Sequence, residues 1–253
     1  MNKLMTAVLL FALAGAAAAQ QKETPKKAAP AKPAAAAPAK PPARPAEKPA
    51  AQAAKAPKAD PAADALARLK EWDEKLQSLK ASFTQEVNFK EAGLKQHIEG
   101  TLAYSKPDLL RIEHLKPAAQ LVVTDKKDIW VHKPADNQAV RTSWEAWRRT
   151  QDQNFAGLLD FGNYASLAAR NNAVLGGGTE GKPLVLTFTP KSGAAYSLSL
   201  TLDAEYFPTG AELTVDGTVI STRLSAVERN AEVAPELFKF APPKGTEVLQ
   251  FKD

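Results

Sequence analysis

KQHIEGTLAY (Lys95–Tyr104), the turn Lys106-Pro107-Asp108 and LLRIEH (Leu109–His114) decide the fold. In both runs apolar side chains alternate with polar ones: Ile98, Leu102 and Tyr104 in the first, Leu110 and Ile112 against Arg111 and Glu113 in the second. A period of two puts one side of each strand toward a core and the other toward water. The proline and aspartate between them mark a turn, so the runs read as antiparallel neighbours.

The rhythm extends in both directions. Strands are expected over 80–90, 95–104, 109–114, 119–124, 128–133 and 138–142, and again over 172–176, 183–190, 194–202, 209–216 and 218–229. Turn signals separate them, among them Glu91-Ala92-Gly93, Lys116-Pro117, Pro134-Ala135-Asp136 and Asp216-Gly217. About eleven consecutive antiparallel strands must curl. Their apolar face then either surrounds a cavity or lies against helices. One helix precedes them: Asp60 caps it, Pro61 suits its first turn, and Leu66, Leu69, Trp72, Leu76 and Leu79 form its stripe. A helical insert over 143–170 carries Trp144, Trp147, Phe155, Leu158 and Leu159. It is a core-covering helix or a lid over a cavity mouth; the pattern fits both.

Upstream of the helix the composition changes twice. Residues 1–19 have the form of a secretory signal, with Lys3, the apolar run Leu4 to Leu13 and Ala17-Ala18-Ala19; the run is too short to span a bilayer. From Gln21 to Asp60, 25 of 40 residues are Ala or Pro, with nine basic and three acidic side chains. Such a stretch has no apolar stripe to offset the entropy of ordering, so residues 20–60 read as a spacer. The net charge of +5 therefore belongs to the first 60 residues, and 61–253 is slightly acidic. A nucleic-acid partner is not expected of such a domain. The chain has no cysteine, so neither disulfides nor a lipid-bearing cysteine are available to it.

Few motifs suggest chemistry. Gly176-Gly177-Gly178-Thr179-Glu180-Gly181-Lys182 has phosphate-loop spacing, but Pro183 stands where a magnesium-binding hydroxyl is needed, and a strand pattern follows instead of a helix. His97, His114 and His132 lie 17 and 18 residues apart on separate strands, a spacing that does not indicate a metal site. Neither a nucleophile elbow nor a zinc-protease motif occurs, and Glu86, Glu99 and Glu113 alternate as a solvated face does. No enzyme and no cofactor are expected.

Several stretches resemble the outer-membrane lipoprotein carrier protein family (LolA). Leu79-Lys80-Ala81-Ser82-Phe83-Thr84-Gln85 is similar to its opening; Gly100-x-Leu102 with Lys106-Pro107-Asp108-Leu109-Leu110-Arg111 follows. Pro117, Gln120 to Asp125, Ile129-Trp130-Val131, Gln138, Leu158-Leu159 and Phe238-x-Phe240-x-Pro242-Pro243-Lys244-Gly245 continue it in order, from about residue 62 to 250. The resemblance implies a mainly β fold with some helix: an unclosed antiparallel β-barrel with an N-terminal helix and a helical lid. It implies a periplasmic monomer that takes acylated lipoproteins from an inner-membrane ABC transporter to an outer-membrane acceptor. The expected lipid-binding residues are Phe83, Leu102, Tyr104, Leu110, Ile112, Leu121, Val123 and Leu198. The resemblance also implies a lid latch just before the proline, where Lys106 replaces the family's arginine and lacks its planar fork. Arg111 matches a second family arginine and is expected, with Lys106, to serve as a latch for the lid, although its position also suits a surface pair with Glu113 or Glu99. Alternative roles for the same shape are a sensor of lipids, a carrier of another lipid or glycolipid, and a structural domain whose spacer binds cell wall.

Overall fold

The computed structural model describes residues 60–125, 127–146, 163–178, 182–191, 193 and 195–250. Residues 1–59, which hold the signal-like and spacer segments, lie outside that set. The chain opens with α1 (Pro61–Lys75), where the Asp60 carboxylate accepts a hydrogen bond from the Ala62 N–H at 3.0 Å. The helix is shorter than its apolar stripe suggested: Leu76 is already extended, and Leu79 belongs to the first strand. Both side chains are still fully buried.

Among the described residues twelve strands form one sheet. They are β1 (Ser78–Phe89), β2 (Leu94–Ser105), β3 (Leu109–Lys116), β4 (Gln120–Asp125), β5 (Asp128–Lys133), β6 (Gln138–Ser143), β7 (Asn171–Gly177), β8 (Leu184–Pro190), β9 (Tyr196–Leu202), β10 (Pro208–Val215), β11 (Thr218–Arg229) and β12 (Glu247–Gln250). A short helix, α2 (Tyr164–Arg170), precedes β7. The spatial order is β12-β6-β5-β4-β3-β2-β1-β11-β10-β9-β8-β7, so β1 and β11 meet in the middle and join two meanders. Among the described residues the edges, β7 and β12, are not paired with each other, and the sheet is an unclosed barrel.

Local chemistry explains the connections. β10 and β11 are joined by Asp216 and Gly217, both with positive φ (46° and 74°), the two-residue turn that matches strand twist. Gly177 and Gly178 also have positive φ, and β8 follows them, so the glycine run continues into a strand.

Two buried clusters line one face of the sheet. The first takes Phe83 and Val87 from β1, Ile98, Leu102 and Tyr104 from β2, Leu110 and Ile112 from β3, Val122 from β4, Ile129 and Val131 from β5, and Leu224 from β11. The second takes Leu186 and Phe188 from β8, Leu198, Leu200 and Leu202 from β9, and Ala211 from β10; Ala65 and Leu69 of α1 and Tyr164 and Leu167 of α2 fill it. Trp72 touches both.

Candidate functional site

The first cluster is the candidate site, because it is the larger apolar surface and strands, not helices, supply most of it. Its members outside the strands, among the described residues, are Leu76, Trp72, Trp144 and Phe207. A close approach at its centre follows from one glycine. Gly100 of β2 lies between Phe83 on β1 and His114 on β3 in the register. A Cβ there would fall on the Glu113 carbonyl oxygen and come within 2.6 Å of the Phe83 ring. Without it, Phe83 lies across β2 and meets the His114 ring edge-on, centroids 5.8 Å apart. Burial lowers the pKa of His114 and favours its neutral form.

Polar groups interrupt the apolar surface. Gln85 of β1 donates from Nε2 to Thr222 Oγ1 of β11 at 3.0 Å. Gln120 and Thr124 of β4 are buried on this face too, paired with His114 and Leu110.

The structure sorts the expected residues into three groups. Phe83, Leu102, Tyr104, Leu110 and Ile112 come together in the first cluster. Leu198 faces the same way but belongs to the second cluster, under the helices. Leu121 and Val123 require a correction: the register puts Val122 opposite Ile112 and Val131, so Val122 faces inward and its neighbours face outward. Val87, Ile98, Val122, Ile129, Val131 and Leu224, missing from the expectation, also belong to the cluster.

The outward face has a cover of its own. The turn Pro235–Phe238 lies against β3 and β4. Phe240 packs at a tilt against Trp130 and His132, centroids 5.5 and 5.3 Å away. Beyond it, β12 pairs parallel with β6. Arg111 serves this cover: it pairs with Glu113 and donates to the Leu237 carbonyl at 2.9 Å. The expectation of Arg111 as a latch for the helical insert is thereby corrected; its contacts are on the outer surface, as its alternation with Leu110 and Ile112 requires.

Lys106 does reach a backbone carbonyl, that of Asp73 in α1, at 2.8 Å. The Asp73 carboxylate in turn accepts from the first N–H groups of α2, Tyr164 at 2.6 Å and Ala165 at 2.8 Å. Lys106 therefore ties the β2–β3 turn to α1, and Asp73 ties α1 to α2. Of the expected lid residues, Trp144 packs on the first cluster, and its backbone N–H donates to the Lys127 carbonyl at 2.8 Å. Trp147, Phe155, Leu158 and Leu159 lie outside the described residues.

His97 is exposed beside Glu99, His114 is buried, and His132 packs against Phe240. Among the described residues, no group of three or more His, Cys, Asp or Glu side chains is placed to hold a metal ion. No helix among them is long and apolar enough to cross a membrane.

The model of the family "Outer membrane lipoprotein carrier protein LolA" matches residues 74–241. The "Outer-membrane lipoprotein carrier protein" of Dechloromonas aromatica (strain RCB) is 32% identical over 190 residues, covering 74% of this chain and 88% of its own length. The protein of the same name from Klebsiella pneumoniae (strain 342) is 29% identical over 199 residues, covering 74% and 88%. The solved structure of a LolA superfamily protein from Nitrosomonas europaea has a TM-score of 0.38 at 13% identity, covering 71% of this chain and 97% of that one. By its sequence from residue 74 to residue 241, the chain belongs to the outer-membrane lipoprotein carrier protein family, LolA.

Proposed function

We propose that this protein carries lipoproteins through the periplasm, with their acyl chains held against the first cluster. It would take them from an inner-membrane ABC transporter and pass them, as a monomer, to an acceptor at the outer membrane. Residues 1–19 then direct export and residues 20–60 act as a tether.

One observation carries the reading: a largely apolar surface across β11 and β1 to β5, built mostly of strands, on a sheet that does not close. A triacylated anchor has about 45 methylenes, and exposing them to water costs on the order of 35 kcal/mol. Such cargo needs an apolar partner throughout the crossing. The same surface must be hidden while no cargo is bound, and its side chains here are buried: Leu110 is 5% and Ile112 3% exposed. Loading then requires displacement of whatever covers the face, with the energy coming from the transporter.

The test is release of newly made lipoproteins from spheroplasts. The wild-type chain is expected to bring them into soluble complex. Leu110→Glu, with folding verified by circular dichroism, is expected to lose at least nine-tenths of that release, since a carboxylate on the face repels alkyl chains. Ile112→Asp repeats the test one position along the strand. Normal release by a folded charged variant overturns the assignment of the face.

A further inference from the structure

Gln85 is part of the stretch that resembles the family opening, yet an apolar surface does not call for it. It sits on β1 between Phe83 and Val87, beside Ile98 on β2 and Thr222 on β11. Thr222 lies between Ile220 and Leu224 on its strand and beside Ala211 on β10. The surroundings of the pair are therefore apolar on every side. Leu224 belongs to the first cluster and Ala211 to the second, so the pair stands at the seam between them.

The fold gains little from it. β1 and β11 are already joined by a backbone ladder from Leu79–Arg229 to Phe89–Thr218. The single side-chain bond adds a small net stabilisation at most, while both groups lose water. An amide offers two N–H donors and a carbonyl acceptor. Among the described residues Gln85 uses only one of these, the N–H directed at Thr222. It is only half-buried, unlike Phe83 and Val87 on either side of it.

A fatty chain joined to a larger molecule brings such a group with it. The ester or amide link has a carbonyl oxygen that loses water when the chain is buried, and it needs a donor in exchange. We propose that the Gln85–Thr222 pair is the subsite for the carbonyl oxygens of the ester or amide links of an acylated cargo, placed where the apolar surface is interrupted. From Gln85 back to Leu79, β1 offers about 20 Å of strand with Phe83, Ala81 and Leu79 on the inner side, which gives the alkyl chain its path. The inference rests on the carrier reading and adds what the site selects for beyond apolar length.

The experiment compares two lipopeptides with identical sixteen-carbon chains on a glyceryl-cysteine, one with ester links and one with ether links. The full chain, Gln85→Leu and Thr222→Val are titrated with each. The wild type is expected to bind the ester form roughly five- to tenfold more tightly than the ether form, the worth of one or two hydrogen bonds. Gln85→Leu is expected to reduce this ratio to near one by weakening the ester form alone. Thr222→Val is expected to reduce it in part and supplies the reading if Gln85→Leu does not fold. A ratio near one in the wild type, or an unchanged ratio in the folded variants, overturns the subsite and leaves the carrier reading standing. Failure of the wild type to bind either lipopeptide overturns both. A diester and diether phosphatidylglycerol pair separates the sources of the carbonyl: a preference in the lipopeptide pair alone supports a site for lipoproteins, and one in both pairs supports a site for any diacyl lipid.

Discussion

The two halves of the inner face are built from the same alternating strands but are completed differently. Over β8 to β10, helices close the surface: Leu69, Tyr164 and Leu167 lie among Leu186, Phe188 and Leu200, and none of these is more than 1% exposed. Over β1 to β5, four side chains outside the strands take part among the described residues, and three of them gather at or near Trp72. A helix-filled half is a core that the chain must keep. A strand-lined half can exchange its cover for another apolar body of similar size. The contrast therefore separates what holds the sheet together from what it offers to cargo.

Equal truncations in the two halves sharpen this most. Leu69→Ala and Ile112→Ala each remove a buried aliphatic side chain and are each expected to cost about 3 kcal/mol in denaturant unfolding. Their effects on capture are expected to differ. Per folded molecule, Leu69→Ala should bind a lipopeptide as the wild type does, whereas Ile112→Ala should bind it several-fold more weakly because alkyl contact is lost. If capture falls equally in both, the halves are one core and the distinction fails.

A smaller effect probes the strand-lined half alone. Gly100→Ala puts a methyl group where the Phe83 ring and the Glu113 carbonyl already lie. The ring can rotate away, but the carbonyl belongs to the adjacent strand, so a loss of about 2 kcal/mol is expected. Phe83→Leu combined with Gly100→Ala should restore part of it, since the shorter side chain leaves room over β2. No recovery in the double variant would place the cost in the backbone, and not in the ring that crosses Gly100.

Much of this architecture was legible because turns and alternation agree. The boundaries of β1, β2, β5 and β11 fall within two residues of the pattern read from the sequence, and Asp60 caps α1 as its type suggests. Three features were not legible, each for a physical reason. β4 is apolar on both sides at Leu121-Val122-Val123, and its flanking Gln120 and Thr124 looked like an outer face; both are in fact buried within, while the chain from Pro235 to Phe240 covers the outside. β12 has four residues and pairs parallel with a strand more than a hundred residues earlier, which leaves no hairpin signal. Leu76 and Leu79 continue a helical spacing although the helix has ended, because both helix and strand deliver them to the same cluster. The five expected residues that do gather come from β1, β2 and β3, where a polar residue separates successive inward side chains over most of the length.

The smallest expected effect concerns His114, the one buried histidine on the strand-lined half. Burial lowers its pKa from the ordinary value of 6.5, so the folded state holds the neutral ring and binds a proton less readily than the unfolded chain. The stability linked to this difference is fully present above pH 6.5, decreases as pH falls below that value, and levels off once pH has passed the lowered folded value. Denaturant midpoints measured from pH 7.5 downward should therefore fall more steeply in the wild type than in His114→Phe, which keeps an aromatic edge toward Phe83 but has no proton to bind. Carboxylates contribute to the acid slope of both proteins, so the difference between the two curves is the informative quantity. If it stays constant through this window, protonation of His114 is not what loosens this half of the sheet. If it changes as expected, protonation of His114 is what makes the strand-lined half easier to open in mild acid.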